Sequence, residues 1–200
     1  MVETQIRNRG VTSSGVLDAM KKVPRHLFIP EAYRDEAYND YPLSIGYGQT
    51  ISQPFIVAYM TEAVRPAKNK KALEIGTGSG YQAAVLAEVT GKVYTIEIVP
   101  ELARESAERL ENMGYDNVIC KHGDGYQGWP EHAPFDIIVV TAAPEKIPQP
   151  LIDQLAEGGR LIIPVGAAGA VQELLLVTKR NGKTDERRLT FVRFVPFRRL

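Results

Sequence analysis

From residue 70 onward, short apolar runs alternate with helix-forming segments, and no other feature limits the possible folds as strongly. "KALEI" reads as a strand, the stretch after Ser79 to about Val89 as a helix, and "KVYTIE" as a strand. "PELARESAERLENMG" then reads as a helix, with Pro100 at its first position and Gly114 past its end. "NVICK" and "FDIIVV" follow as strands, residues 151–155 as a short helix stopped by Gly158, and "RLIIPV" as another strand. Repeated strand–helix–strand units connect with right-handed crossovers, so they build a mostly parallel sheet covered on both faces. The pattern then changes. "VQELLLVTKR", Asn181-Gly182 and "RRLTFVRFVPF" predict an antiparallel hairpin, because Asn-Gly supplies the positive φ angles of a tight turn. The expected fold is a doubly wound α/β sheet with this hairpin at one edge, the pairing order of the last two strands being left open.

The first third reads as helical. "SSGVLDAMKKV" places Val16, Ala19, Met20 and Val23 on one face, with Ser13 or Ser14 as N-cap, before Pro24 and Pro30 interrupt it. A chain of 200 residues without a repeat or linker is expected to be a single domain, 1–200, with an N-terminal extension (1–69) joined to the sheet (70–200). Lys and Arg total 24, as do Asp and Glu, so no overall field draws in nucleic acid or an anionic membrane. "MVETQIRNRG" lacks an apolar signal core and no run reaches membrane-spanning length, which predicts a cytoplasmic protein, expected to be monomeric. Cys120 has no disulfide partner and reads as a small core residue; His26, His122 and His132 lie too far apart for a zinc site, so no metal is expected. Arg187, Arg188, Arg193, Arg198 and Arg199 read as solvent-facing residues of a blunted sheet edge.

"LEIGTGSGY" falls where the first sheet strand turns into a helix, the place where open α/β sheets bind ligands. A P-loop needs Gly-Lys-Ser/Thr, and Gly80 is followed by Tyr81 and Gln82. A dinucleotide loop needs a third glycine where Tyr81 stands. The remaining pattern is Gly76, Gly78 and Gly80 preceded by one acid, Glu74, with a second acid, Glu97, ending the next strand. A carboxylate at that strand end can accept both ribose hydroxyls of an adenosyl group without any phosphate; the competing reading of Glu97 is a solvated strand end. In "HGDGYQGW", glycines flanking Asp124 leave its carboxylate room to accept a hydrogen bond from an adenine amino group, unless the stretch is only a turn.

These residues resemble the S-adenosylmethionine-dependent methyltransferases through "LEIGTGSGY", "VYTIE", "GDG", "FDIIVV" and "LAEGGRLIIPVG". Within them, the chain is most similar to the protein-L-isoaspartate O-methyltransferase family, by "GYGQTISQP" upstream of "LEIGTGSGY", then "HGDGYQGW", "APFDIIVVTAAP" and "GGRLIIPVG", with "VPRHLFIP" and "FVPF" near the two ends. The resemblance implies a Rossmann-like methyltransferase sheet of seven strands and S-adenosyl-L-methionine as cofactor, leaving S-adenosyl-L-homocysteine as product. The substrates it implies are damaged proteins and peptides with isoaspartyl linkages, in which a free α-carboxylate receives the methyl group. The ester then closes to a succinimide, whose hydrolysis returns some normal aspartate. It further implies that Ser52 is the active-site serine that orients the carboxylate, assisted by Thr50. Glu74, Gly76, Gly78, Ser79, Glu97, Asp124, Gly125 and Thr141 are expected to serve the cofactor, and the backbone of Pro164, Val165 and Gly166 to hold substrate peptide as an added strand. Two readings stay open in the residues themselves: Ser52 also suits the N-cap of the helix beginning "QPFIVAYM", and Asp136 is either a crevice residue or a structural acid. Two other functions share the cofactor residues, a methyltransferase for a small metabolite and a non-catalytic adenosyl-ligand sensor.

Overall fold

The computed structural model describes residues 1–200, and its frame is a seven-stranded sheet. The strands are β1 (Leu43–Gly46), β2 (Gln49–Ile51), β3 (Lys71–Ile75), β4 (Lys92–Glu97), β5 (Val118–His122), β6 (Phe135–Val140), β7 (Leu155–Val165), β8 (Gln172–Arg180) and β9 (Lys183–Val192). The helices are α1 (Ser14–Lys22), α2 (Pro54–Ala63), α3 (Tyr81–Val89), α4 (Pro100–Asn112) and α5 (Gln149–Asp153). β1 and β2 form a separate ribbon; the other strands lie in the order β5-β4-β3-β6-β7-β8-β9. Pairing is parallel from β5 to β7 and antiparallel from β7 to β9. The last three strands are thus a simple meander, with β9 at the edge. Its turn is Asn181-Gly182, both at positive φ (52° and 70°), as the hairpin signal requires.

β3, β4 and β6 are buried almost throughout, which is why they read as unbroken apolar runs. Alternate residues divide between two cores. Ala72, Val93, Ile137, Val139 and Ile162 face the layer containing α1, α2 and α3, while Leu73, Ile75, Ile138, Val140 and Leu161 face Trp129 and Leu151. The chain winds outward from β3 through β4 to β5, then returns to place β6 on the other side of β3. That reversal opens a crevice at the carboxyl ends of β3 and β6.

Two local expectations change. Leu155 begins β7 instead of ending a helix; between Phe135↔Leu155 and Ile137↔Arg160 the strand bulges, and Gly158 lies in that bulge. Ser13 precedes α1, but its side chain does not cap it: the Glu62 carboxylate on α2 accepts the backbone N–H groups of Thr12 (2.7 Å) and Ser13 (2.5 Å) instead. The segment "IGYGQT" is a hairpin, with Tyr47 and Gly48 at positive φ in its turn and Ser44 paired to Thr50. No helix is long and apolar enough to cross a membrane.

Candidate active site

The floor of the crevice is the turn after β3. Gly76 has φ 94°, and a side chain there would run into the Thr141 hydroxyl at the end of β6. Only glycine meets both demands. Thr141 fastens the two strand ends: its N–H donates to the Ile75 carbonyl (2.9 Å), and its hydroxyl reaches the Ile75 and Gly76 carbonyls (3.0 and 2.7 Å). Arg109 on α4 donates to the Ser79 carbonyl (2.8 Å) and fixes the far end of the turn. Ile45 of β1 packs over Gly78, so the N-terminal hairpin lies directly on the glycine turn.

Glu97 ends β4 inside this frame, buried rather than solvated. One carboxylate oxygen accepts the Gly78 N–H (2.7 Å) and the other the Val99 N–H (2.9 Å), so two backbone donors orient it and lone pairs remain on both oxygens. Glu97 shares a small space with Gly76, Gly78, Thr50 and Thr141. Gly125 borders a neighbouring apolar slot with Ile96 and Ile98; a side chain there would strike Ile75. Asp124 sits beside that slot. One of its oxygens accepts the Tyr126 N–H (2.9 Å) and the other pairs with Arg199 (2.8 Å). Partial burial would raise its pKa, but the hydrogen bonds from Arg199 and the Tyr126 N–H prevail and hold the carboxyl below its usual range.

Glu74 departs from expectation. It is fully buried within the sheet, accepts a hydrogen bond from the Thr95 hydroxyl (2.5 Å), and borders neither the Glu97 space nor the groove beside Ser52. Burial pushes its carboxyl up to about 8, against the opposing Thr95 hydrogen bond and with a further push from Glu97. Asp136 is structural: at the opposite end of the sheet its carboxylate accepts the Lys71 N–H (2.8 Å) where β3 begins. Cys120 is half-buried, and burial raises its thiol to about 11, which makes it a poor nucleophile.

Ser52 leaves β2 just before α2 and makes no hydrogen bond within the protein. The helix start is served by Asp40, whose carboxylate accepts the Phe55 N–H (3.2 Å) and a Gln53 side-chain N–H (2.9 Å), and which pairs with Arg9 (2.5 Å). The cap-only reading of Ser52 therefore fails, and its hydroxyl is free for another partner. Ser52 opens onto a groove of about 470 Å³ whose apolar wall is Pro42, Ile56, Val171, Phe191, Val192 and Phe194, with Arg193 its one charged residue. Thr50, Ser52 and Thr141 border this groove on one side and the space over Gly76, Gly78 and Ser79 on the other. The backbone of Pro164, Val165 and Gly166 lines no part of it. On one side Pro164 and Val165 pair with Leu174 and Glu173, and the Gly166 N–H donates to the Pro144 carbonyl (3.0 Å). The groove wall comes instead from apolar side chains that the sequence did not single out, of which Phe191 is 60% and Val171 51% exposed.

A mostly parallel sheet with a glycine turn that lacks a P-loop lysine, an oriented carboxylate at the end of β4 and two compartments meeting at three hydroxyl side chains defines a Rossmann-like methyltransferase. An adenosyl cofactor fits these residues, since the Glu97 carboxylate keeps free acceptor positions in the space it shares with Gly76 and Gly78. The family model described as protein-L-isoaspartate(D-aspartate) O-methyltransferase matches residues 1–199, and the chain belongs to that family of enzymes. It is 61% identical over 199 residues to the protein-L-isoaspartate O-methyltransferase of Gloeobacter violaceus, covering 100% of this chain and 97% of that one. Among solved structures, a protein-L-isoaspartate O-methyltransferase superposes with a TM-score of 0.89 at 32% identity, covering 98% of this chain and 65% of that chain. The Plasmodium falciparum β-aspartate methyltransferase, solved in complex with S-adenosyl-L-homocysteine, gives 0.83 at 29% identity, covering 100% and 97%.

Proposed function

We propose that this enzyme transfers a methyl group from S-adenosyl-L-methionine to the free α-carboxylate of L-isoaspartyl residues in damaged proteins and peptides, and that Thr50, Ser52 and Thr141 stand where donor and acceptor meet. The observation that carries this reading is the shared border: those three side chains belong to the apolar groove and to the glycine-turn compartment alike, and the Ser52 hydroxyl has no partner of its own.

In this reading Glu97 accepts the two ribose hydroxyls with the lone pairs left over from Gly78 and Val99, and Gly76, Gly78, Ser79 and Gly125 admit the ligand close to the backbone. Asp124 accepts the adenine amino group. When bound, the cofactor supplies a methyl group on a sulfonium, which the substrate carboxylate attacks in line. The protein needs no general base, because a carboxyl that ordinarily titrates near pH ~4 is already ionised at neutral pH. Ser52 donates to one carboxylate oxygen and fixes the direction of the other, with Thr50 beside it. Holding two reactants in line supplies on the order of 7–11 kcal/mol in favourable systems, so positioning is the main task of the side chains. The β1–β2 hairpin and Phe191 with Phe194 shelter the meeting point from water. The ester then leaves and closes to a succinimide off the enzyme.

A monomer that acts on peptides belongs to the same proposal, and the equal totals of Lys plus Arg and Asp plus Glu, 24 each, give no overall field that would draw in nucleic acid. Alanine at Ser52 tests the assignment: peptide turnover is expected to fall far more than cofactor affinity. Equal loss of both would remove Ser52 from the acceptor side.

A further inference from the structure

The segment Val195–Leu200 lies across the crevice. It is fastened to the loop after β6 by Ala143, whose N–H donates to the Val195 carbonyl (2.8 Å) and whose carbonyl accepts the Phe197 N–H (3.0 Å). From there Phe197 and Arg198 close the apolar slot between Gly125 and Ile98, leaving about 30 Å³, enough for one or two waters and far short of a purine. Arg198 continues to the hairpin turn, where it donates to the Tyr47 carbonyl (3.5 Å). Arg199 lies 3.7 Å over the Tyr126 ring and takes the outer oxygen of Asp124. Both arginines, which read as solvent-facing from their place in the chain, are thus engaged with the crevice.

We propose that residues 197–200 are a strap that competes with the adenine ring of the cofactor: Phe197 and Arg198 fill its slot, and Arg199 holds the carboxylate that would accept its amino group. Binding then requires the strap to lift. The inference rests on the cofactor reading under Proposed function. Phe197 and Arg199 touch the nucleoside end of the site, and Arg198 also borders the Glu97 space with Thr50 and Thr141, so the strap tunes cofactor entry and product release.

An apparent dissociation constant rises as the binding-competent fraction falls. An exposed or half-exposed ion pair shifts such an equilibrium by about two- to fivefold. Calorimetric titration with S-adenosyl-L-homocysteine is therefore expected to show Arg199→Ala binding about two- to fivefold more tightly than the wild type, Arg199→Lys in between, and deletion of residues 197–200 more tightly than either. Hydrogen exchange supplies a readout independent of affinity: the Phe197 amide is expected to lose protection when S-adenosyl-L-homocysteine is added. Unchanged or weaker binding by both the alanine variant and the deletion, or a Phe197 amide that gains protection, would overturn the strap while wild-type binding leaves the cofactor reading standing. A wild type that does not bind the ligand at all would overturn both.

Discussion

The two sides of the crevice are built in different ways. The side proposed for the cofactor comes from consecutive strand ends of one sheet: Gly76 to Ser79 after β3, Glu97 at the end of β4, Asp124 and Gly125 after β5, Thr141 after β6. Its polar groups are buried and tied to backbone, as Glu97 is to Gly78 and Val99. The side proposed for the peptide joins residues from far apart, Pro42 to Ile56 from the N-terminal extension and Val171 with Phe191–Phe194 from the C-terminal part, and its wall is apolar, with Phe191 and Val171 exposed. A rigid, oriented polar site suits one invariant ligand, whereas an open apolar wall accepts many peptide sequences around one constant carboxylate. Perturbing one side is therefore expected to leave the other intact.

The largest effect concerns the frame beneath the cofactor side. The Glu74 carboxyl is raised to about 8 in the folded protein, while in the unfolded chain it ionises near 4.5. Between those values the folded state holds the extra proton, so this group's contribution makes stability fall as pH rises from about 4.5 to about 8. Glu74→Gln removes that slope. Urea unfolding is expected to show the variant gaining on the wild type across this window, by up to on the order of 5 kcal/mol. Parallel profiles would mean that Glu74 is ionised in the fold.

Next comes Glu97→Gln, which weakens acceptance of the ribose hydroxyls. Hydrogen bonds to charged groups are worth about 1.5–3 kcal/mol, so affinity for S-adenosyl-L-homocysteine is expected to drop about 10- to 100-fold, with the peptide KM at saturating cofactor unchanged. A matching rise in peptide KM would break the division between the two sides. Ser52→Ala probes the junction. It is expected to lower kcat/KM for an isoaspartyl peptide by about 10- to 100-fold, again the worth of one charge-assisted hydrogen bond. Cofactor affinity and melting temperature should hold, because Asp40 serves the start of α2. Lost thermal stability at normal turnover would restore Ser52 to the role of a cap. The smallest effect falls on the peptide wall: Phe191→Ala removes part of an exposed ring, worth about 1 kcal/mol of burial against a peptide, and should raise peptide KM about fivefold without altering cofactor affinity.

The same division explains which features were legible in the sequence. Strand patterns, the glycine turn and the acid ending β4 are local signals, since each depends on residues within one turn or strand. Glu74 misled because its motif position says nothing of the face it occupies: it lies on β3 between Leu73 and Ile75, both in the core, and its only side-chain partner is Thr95 on the next strand. The peptide wall was hidden for the opposite reason. Phe191 and Val171 are ordinary apolar residues of a sheet edge until the fold sets them beside Ile56 and Pro42, and the pairing of Pro164 and Val165 with β8 depends on a strand order the sequence left open. Asp40 escaped notice because the Phe55 amide it accepts, in the first turn of α2, lies 15 residues further along the chain.

The central claim is that a misplaced backbone carboxylate, and no ordinary side-chain acid, reaches the hydroxyl junction. Its most direct test is transfer of a labelled methyl group from S-adenosyl-L-methionine to a pair of peptides that differ only in an isoaspartyl or a normal aspartyl linkage. Label is expected in the isoaspartyl peptide alone, lost as methanol when the ester closes; equal labelling of the two, or of neither while a small metabolite is methylated, would contradict the account.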